Sequence, residues 1–212
     1  MKERPILFNT ENVKAILEGR KTQTRRVIKP QPEIWRGKEI YFSYPGHYKL
    51  LNTEEHISHY CKYGKRGDRL WARETWYYDD SLGRVFYKAN QNEEGIIFRN
   101  DPDFGLQPYK IEKWKPSIFM PKKFSRITLE IVDLRVEQLQ NISELDAHLE
   151  GIERSADSSG YTWYKNYLDE YPSNFKQNPI KSFKSLWDSI NKKRGYSWDS
   201  NPWVYVIEFK KI

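Results

Sequence analysis

The sequence predicts an α+β domain: a curved or closed sheet with a few flanking helices. Three observations point there. Strand-like alternation recurs in well-separated segments, most clearly at 125–136 and 203–210. Helical spacing is confined to short runs near 11–18, 143–150 and 183–190. Stretches of mixed polarity near 33–66, 90–118 and 153–178 separate these elements and read as loop-rich insertions, with no internal repeat and no low-complexity run. At 212 residues the whole chain, 1–212, is expected to form a single domain. A chain of this size buries roughly 70% of its unfolded surface, so no metal or disulfide is needed to hold it.

Each element follows from its residues. Arg4-Pro5-Ile6-Leu7-Phe8 is an apolar strand start. Thr10 is placed to cap a helix over Glu11 to Glu18, with Val13, Ile16 and Leu17 as its apolar stripe. Gly19 suits the position just past a helix end. The chain then extends, with Thr24, Arg26 and Ile28 on one face and Gln23, Arg25 and Val27 on the other. Gly67-Asp68 signals a turn into a strand from Arg69 to Trp76, and a further strand covers Val85 to Lys88. In the former, Leu70, Ala72, Glu74 and Trp76 share a face opposite Arg69, Trp71, Arg73 and Thr75. Ile127, Leu129 and Ile131 open a long strand that continues to Val136 or Leu139. Ser143 with Asp146 marks a helix start and Gly151 its end. Phe183, Leu186, Trp187 and Ile190 recur at helical spacing, and Trp203 to Lys210 alternates as a last strand.

The formal net charge is +7 and the pI near 9.2, which favours polyanionic partners such as nucleic acid and leaves room for a membrane or acidic-protein partner; a merely basic soluble protein is the other reading. The single cysteine, Cys61, excludes an internal disulfide. With no basic-then-apolar leader at Met1-Lys2-Glu3-Arg4, a cytoplasmic location is expected. No apolar run reaches the roughly 20 residues of a membrane span. His56, His59 and Cys61 lie close in sequence but lack a second pair of ligands, so no metal or cofactor is expected. Eight Trp, fifteen Tyr and ten Phe supply rings for a core, and any left on the surface could stack on bases.

The stretch Gly19-Arg20-Lys21-Thr22-Gln23-Thr24-Arg25-Arg26 carries four basic side chains, two threonines and no acid. From these residues alone it reads either as a solvated basic patch or as a pocket for an anionic or nucleotide-like ligand, with a hydroxyl beside an amine. Glu74 stands on an apolar face, where an isolated carboxylate is costly, so it must pair with a cation or serve a site. Lys122, Lys123, Arg126 and the pair Lys210-Lys211 read as a phosphate-contacting rim or as solvated faces.

Taken in order, four segments resemble the ASCH domain family. They are Ile16-Leu17-Glu18-Gly19-Arg20-Lys21-Thr22-Gln23-Thr24-Arg25-Arg26, Gly67-Asp68-Arg69-Leu70, Ile142-Ser143-Glu144-Leu145-Asp146-Ala147-His148-Leu149-Glu150-Gly151, and Val206-Ile207-Glu208-Phe209-Lys210. The longer form, with its Arg69-Leu70-Trp71-Ala72-Arg73-Glu74-Thr75-Trp76 strand, looks like the version encoded by phages and prophages. The resemblance implies a PUA-like β-barrel and an RNA- or nucleoside-directed function. A compact bacterial branch of the family holds N4-acetylcytidine amidohydrolases, which use a Lys, a Thr three residues later and a Glu on a later helix. By motif these fall on Lys21, Thr24 and Glu150. In that reading Lys21 activates Thr24 and Glu150 orients the lysine or a water, while Arg20, Arg25, Arg26, Arg73 and Glu74 form the substrate-binding set. This chain is about twice the length of the compact branch, and its insertions are placed to reshape the pocket or to engage a host protein. A non-catalytic RNA-binding module is the alternative.

Overall fold

Five segments hydrogen-bond into one sheet, seen in a computed structural model. They are β1 (Glu3–Leu7), β2 (Gln23–Val27), β3 (Arg69–Arg73), β4 (Thr128–Gln138) and β5 (Trp203–Lys211), in the order β1-β3-β4-β5-β2. β1 runs parallel to β3, and the other pairs are antiparallel. The structure describes residues 1–35, 39–44, 47–51, 53–101, 104–168, 174–176 and 178–212. Parts of the three expected insertions (36–38, 45, 46 and 52; 102 and 103; 169–173 and 177) lie outside the described residues.

β5 is buried on both faces because its residues alternate between two cores. Tyr205, Ile207 and Phe209 join Ile6, Leu70, Ala72, Leu129 and Ile131 on one side. That side is covered by α1 (Thr10–Leu17) and α2 (Glu54–Tyr60), through Val13, Ile16 and Ile57. Val204 and Val206 join Phe183, Leu186 and Trp187 of α4 (Pro179–Asn191) on the other. Ala147 of α3 (Glu144–Leu149) also belongs to this second core. The expected facing of the Gln23–Val27 segment follows the same division: Ile28 enters the first core and Val27 packs against the second.

The α+β class is as expected. The ladder, however, describes an open sheet and not a closed barrel: among the described residues β1 and β2 are its edges, with no backbone pairing between them. What joins the edges is a side chain, the Arg26 guanidinium, whose Nη2 donates to Leu7 O at 2.7 Å. α1 is capped one residue earlier than Thr10, by Asn9, whose extended backbone lets its side chain accept from Asn12 N at 2.8 Å. Leu17 of the expected stripe is 37% exposed, and Ala15 takes the buried place. The insertions hold short strands of their own: Glu33–Trp35, Glu39–Tyr44 and His47–Leu50 in the first, a hairpin of Ile97–Asp101 with Gly105–Tyr109 in the second. Arg154–Ala156, Thr162–Lys165 and Asn174–Lys176 form a third small sheet. α2, which no periodicity announced, starts at a Thr53 cap.

Candidate functional site

Two glycines bring distant segments together. Gly19, at φ 75°, turns the chain out of α1 so that Lys21 N donates to Ala15 O at 3.0 Å. Thr22 N then donates to Leu149 O at 2.9 Å, and Lys21 pairs with Glu150 as an isolated antiparallel bridge. Gly151, at φ 82°, ends α3 against this bridge. A Cβ there would lie 2.7 Å from Lys21 Cβ and 2.8 Å from Ala15 Cβ, so the end of α3 docks this closely only because the residue is glycine.

The docking sets the side chains. Lys21 Nζ donates to Glu150 Oε2 at 2.7 Å and to Glu150 O at 2.8 Å, and both residues are 3% exposed. Burial lowers the Lys21 pKa below the ordinary lysine value; Glu150 opposes this, and the Arg26 and Arg25 charges add to it. The second Glu150 oxygen accepts from Arg25 Nη1 at 3.2 Å. Arg25 Nη2 reaches Glu137 at 2.5 Å and Asp146 at 3.1 Å, with the Arg25 side chain wholly buried. Register explains the convergence, since Arg135, Val206 and Arg25 lie in one row across β4, β5 and β2. Arg135 then joins Glu137 and Asp146 from the outer side. Sequence reading missed Glu137. The signal for it was charged residues at alternate positions of the strand, Asp133, Arg135 and Glu137.

A cavity of about 830 Å³ opens over this floor, between the edge strands β1 and β2. Lys21, Thr24, Arg25, Arg26 and Glu150 all line it, and so does Arg73 from β3. Thr24 is 3% exposed, and among the described residues its hydroxyl has no hydrogen-bond partner. Arg26 lies 5.0 Å over the Phe8 ring, and burial is the main cause that lowers its pKa. Arg73 Nη1 donates to Ile118 O at 3.2 Å, and its guanidinium lies 4.7 Å over Trp71.

Two members of the expected binding set stand outside the cavity wall. Arg20 is held by Glu18 and by Gly151 O, the latter at 2.6 Å from Nη1, which braces the α3 end from behind. Glu74 is 1% exposed, and both its oxygens accept from Arg126, at 2.8 and 2.9 Å. Of the two uses the sequence allowed for Glu74, the ion pair is the one observed. Cys61 packs into the first core, where burial pushes its thiol up to about 11. Among the described residues no helix is long and apolar enough to cross a membrane. No protein-family model, curated protein or solved structure matches the chain.

Proposed function

We propose that this chain is an ASCH-type protein with a PUA-like fold, acting in the cytoplasm on RNA or a modified nucleoside as an amidohydrolase. The bond cleaved is the amide of an N4-acetylcytidine-like base. The observation that carries this reading is the Lys21–Glu150 pair, desolvated at the floor of a cavity that Thr24 also lines. A threonine hydroxyl is a weak nucleophile until a base takes its proton, and lowering a lysine's pKa makes its neutral, basic form easier to reach.

In this reading neutral Lys21 accepts the Thr24 proton while Oγ1 attacks the acyl carbon. The oxygen that gains charge faces Arg26, which shares the Thr24 face of β2 and lines the same cavity. Lys21 returns the proton to the departing amine nitrogen, releasing the base. Water held by Glu150 then cleaves the acyl ester on Thr24, freeing the acid and restoring the hydroxyl. Because Lys21 must be neutral to start, the rising limb of the pH–rate profile falls below the 10.5 of an ordinary lysine.

The test is hydrolysis of acetylated cytidine by the full chain and by Lys21→Met and Thr24→Ala. Each variant is expected to lose about 10²-fold or more in turnover, the usual range for a positioned acid–base group. Undiminished turnover in either variant removes the mechanism. The non-catalytic alternative is favoured by a separate observation: eight basic side chains and one carboxylate line the cavity among the described residues. Tight, salt-sensitive RNA binding with no turnover of any acylated base is its signature.

A further inference from the structure

The charge of the cavity wall exceeds what a neutral nucleoside needs. The only carboxylate lining it among the described residues, Glu150, has both oxygens engaged by Lys21 and Arg25. Of the remaining cations, Arg4 is paired with Asp68 at 2.8 Å. Arg26, Lys29, Lys62, Arg73 and Arg194 line the same cavity with no carboxylate partner among the described residues. Five unpaired cations around one hollow repel one another, and a bound anion relieves that repulsion.

Their arrangement is specific on one wall. The short turn after α4 presents Arg194, and Gly195, at φ 86°, redirects the chain to Tyr196. Lys29, just past β2, lies 4.6 Å over the Tyr196 ring. Arg194 is near enough to Arg26 to oppose its charge, and both face the cavity whose floor holds Thr24. A volume of about 830 Å³ lies in the upper part of the roughly 300–1,000 Å³ range of small-molecule sites, so a nucleoside on the floor leaves space beside it.

We infer that Lys29 and Arg194 form a phosphate subsite at the cavity mouth, so that the ligand is a phosphate-bearing nucleotide and not a free nucleoside. This rests on the reading of the cavity as a base-directed site. The phosphate meets two exposed cations, and the Tyr196 ring holds the Lys29 ammonium in place through its π face. A mononucleotide and a segment of RNA offer the same chemistry at this wall.

Calorimetric binding of cytidine, cytidine 5′-monophosphate and a 5′-phosphorylated cytidine trinucleotide to the full chain decides it. The monophosphate is expected to bind about tenfold or more tightly than cytidine, since charge-assisted hydrogen bonds are the strong ones. Raising salt from about 50 to about 200 mM is expected to weaken the monophosphate and spare cytidine. In Lys29→Gln/Arg194→Gln, two exposed positions, the monophosphate is expected to fall to the affinity of cytidine. A trinucleotide tighter than the monophosphate assigns the subsite to a polynucleotide, and equal affinity assigns it to a mononucleotide; both support the inference. Equal binding of cytidine and the monophosphate, a preference that survives the double substitution, or no binding of any of the three overturns it. Parallel hydrolysis assays keep the two readings apart. Phosphate preference without turnover leaves the subsite and removes the amidohydrolase, whereas turnover with no phosphate preference does the reverse.

Discussion

Arg25 shows how much one side chain carries. Its wholly buried guanidinium is the meeting point of Glu137, Asp146 and Glu150, of which Glu150 is buried and the other two are partly exposed. Without it, among the described residues, the buried Glu150 keeps only Lys21 as a cation partner, and Glu137 and Asp146 keep only Arg135, which is more costly than the loss of any single hydrogen bond. Arg25→Ala is therefore expected to destabilise the fold by about 3–5 kcal/mol, a large part of a total stability of about 5–15 kcal/mol. Arg25→Lys keeps the charge and loses the planar fork, so one ammonium cannot reach all three partners, and an intermediate loss is expected. Denaturant midpoints of the two variants measure this. If both melt with the wild type, Arg25 is not what holds Glu150 in place.

At the level of elements, the site depends on how closely α3 ends against the segment before β2. Gly151 makes that approach, and Gly151→Ala sets a strained φ and a clash with Lys21 and Ala15 against it. Backbone strain of about 1–3 kcal/mol is expected, with overpacking of a similar order added if the neighbours cannot shift. The structure relieves this most readily by moving Glu150 away from Lys21. Because Glu150 holds the Lys21 pKa up against burial, the variant is expected to lose stability and to show a pH–rate limb displaced still further below ordinary lysine. A lower denaturation midpoint with an unmoved limb would show that the bridge tolerates displacement. The cap of α1 teaches a smaller lesson of the same kind. Asn9 and Thr10 are both good caps by type, and the backbone direction after β1 selects Asn9.

Across the whole molecule, the open sheet is closed off by polar clamps at its edges. Asp68 accepts from Lys2 N at 2.7 Å, Arg4 Nη1 at 2.8 Å and Lys65 N at 3.3 Å, tying the start of β1 to the turn before β3. Burial works against its ionisation, but these three donors outweigh it and hold its carboxyl below the ordinary value. A carboxyl depressed in the folded state adds stability that is complete above its unfolded pKa and is lost as pH falls through its folded pKa. Asp68→Asn is expected to cost about 1–3 kcal/mol near neutrality, with the gap to wild type closing in acid. Urea midpoints at about pH 7 and about pH 3 check the sign. A gap independent of pH would mean that Asp68 acts through its shape and not its charge.

Sequence alone determined the α+β class, the main strands and helices, and the facing of Gln23 to Ile28, because these follow from local periodicity and turn chemistry. It also singled out Lys21, Thr24 and Glu150, through motif order and not through any distance. The tertiary structure decided what those residues meet. Lys21 and Glu150 are 129 positions apart, and only the docking of α3 puts them 2.7 Å from each other. Glu74 and Arg20 look like site residues in the chain and are committed to Arg126 and to Gly151 in the fold. The five unpaired cations of the cavity come from four separate segments, including the turns after α2 and α4. No local pattern marks them, because a cavity is made by the packing of elements, and its charge is a sum over residues that the chain itself keeps apart.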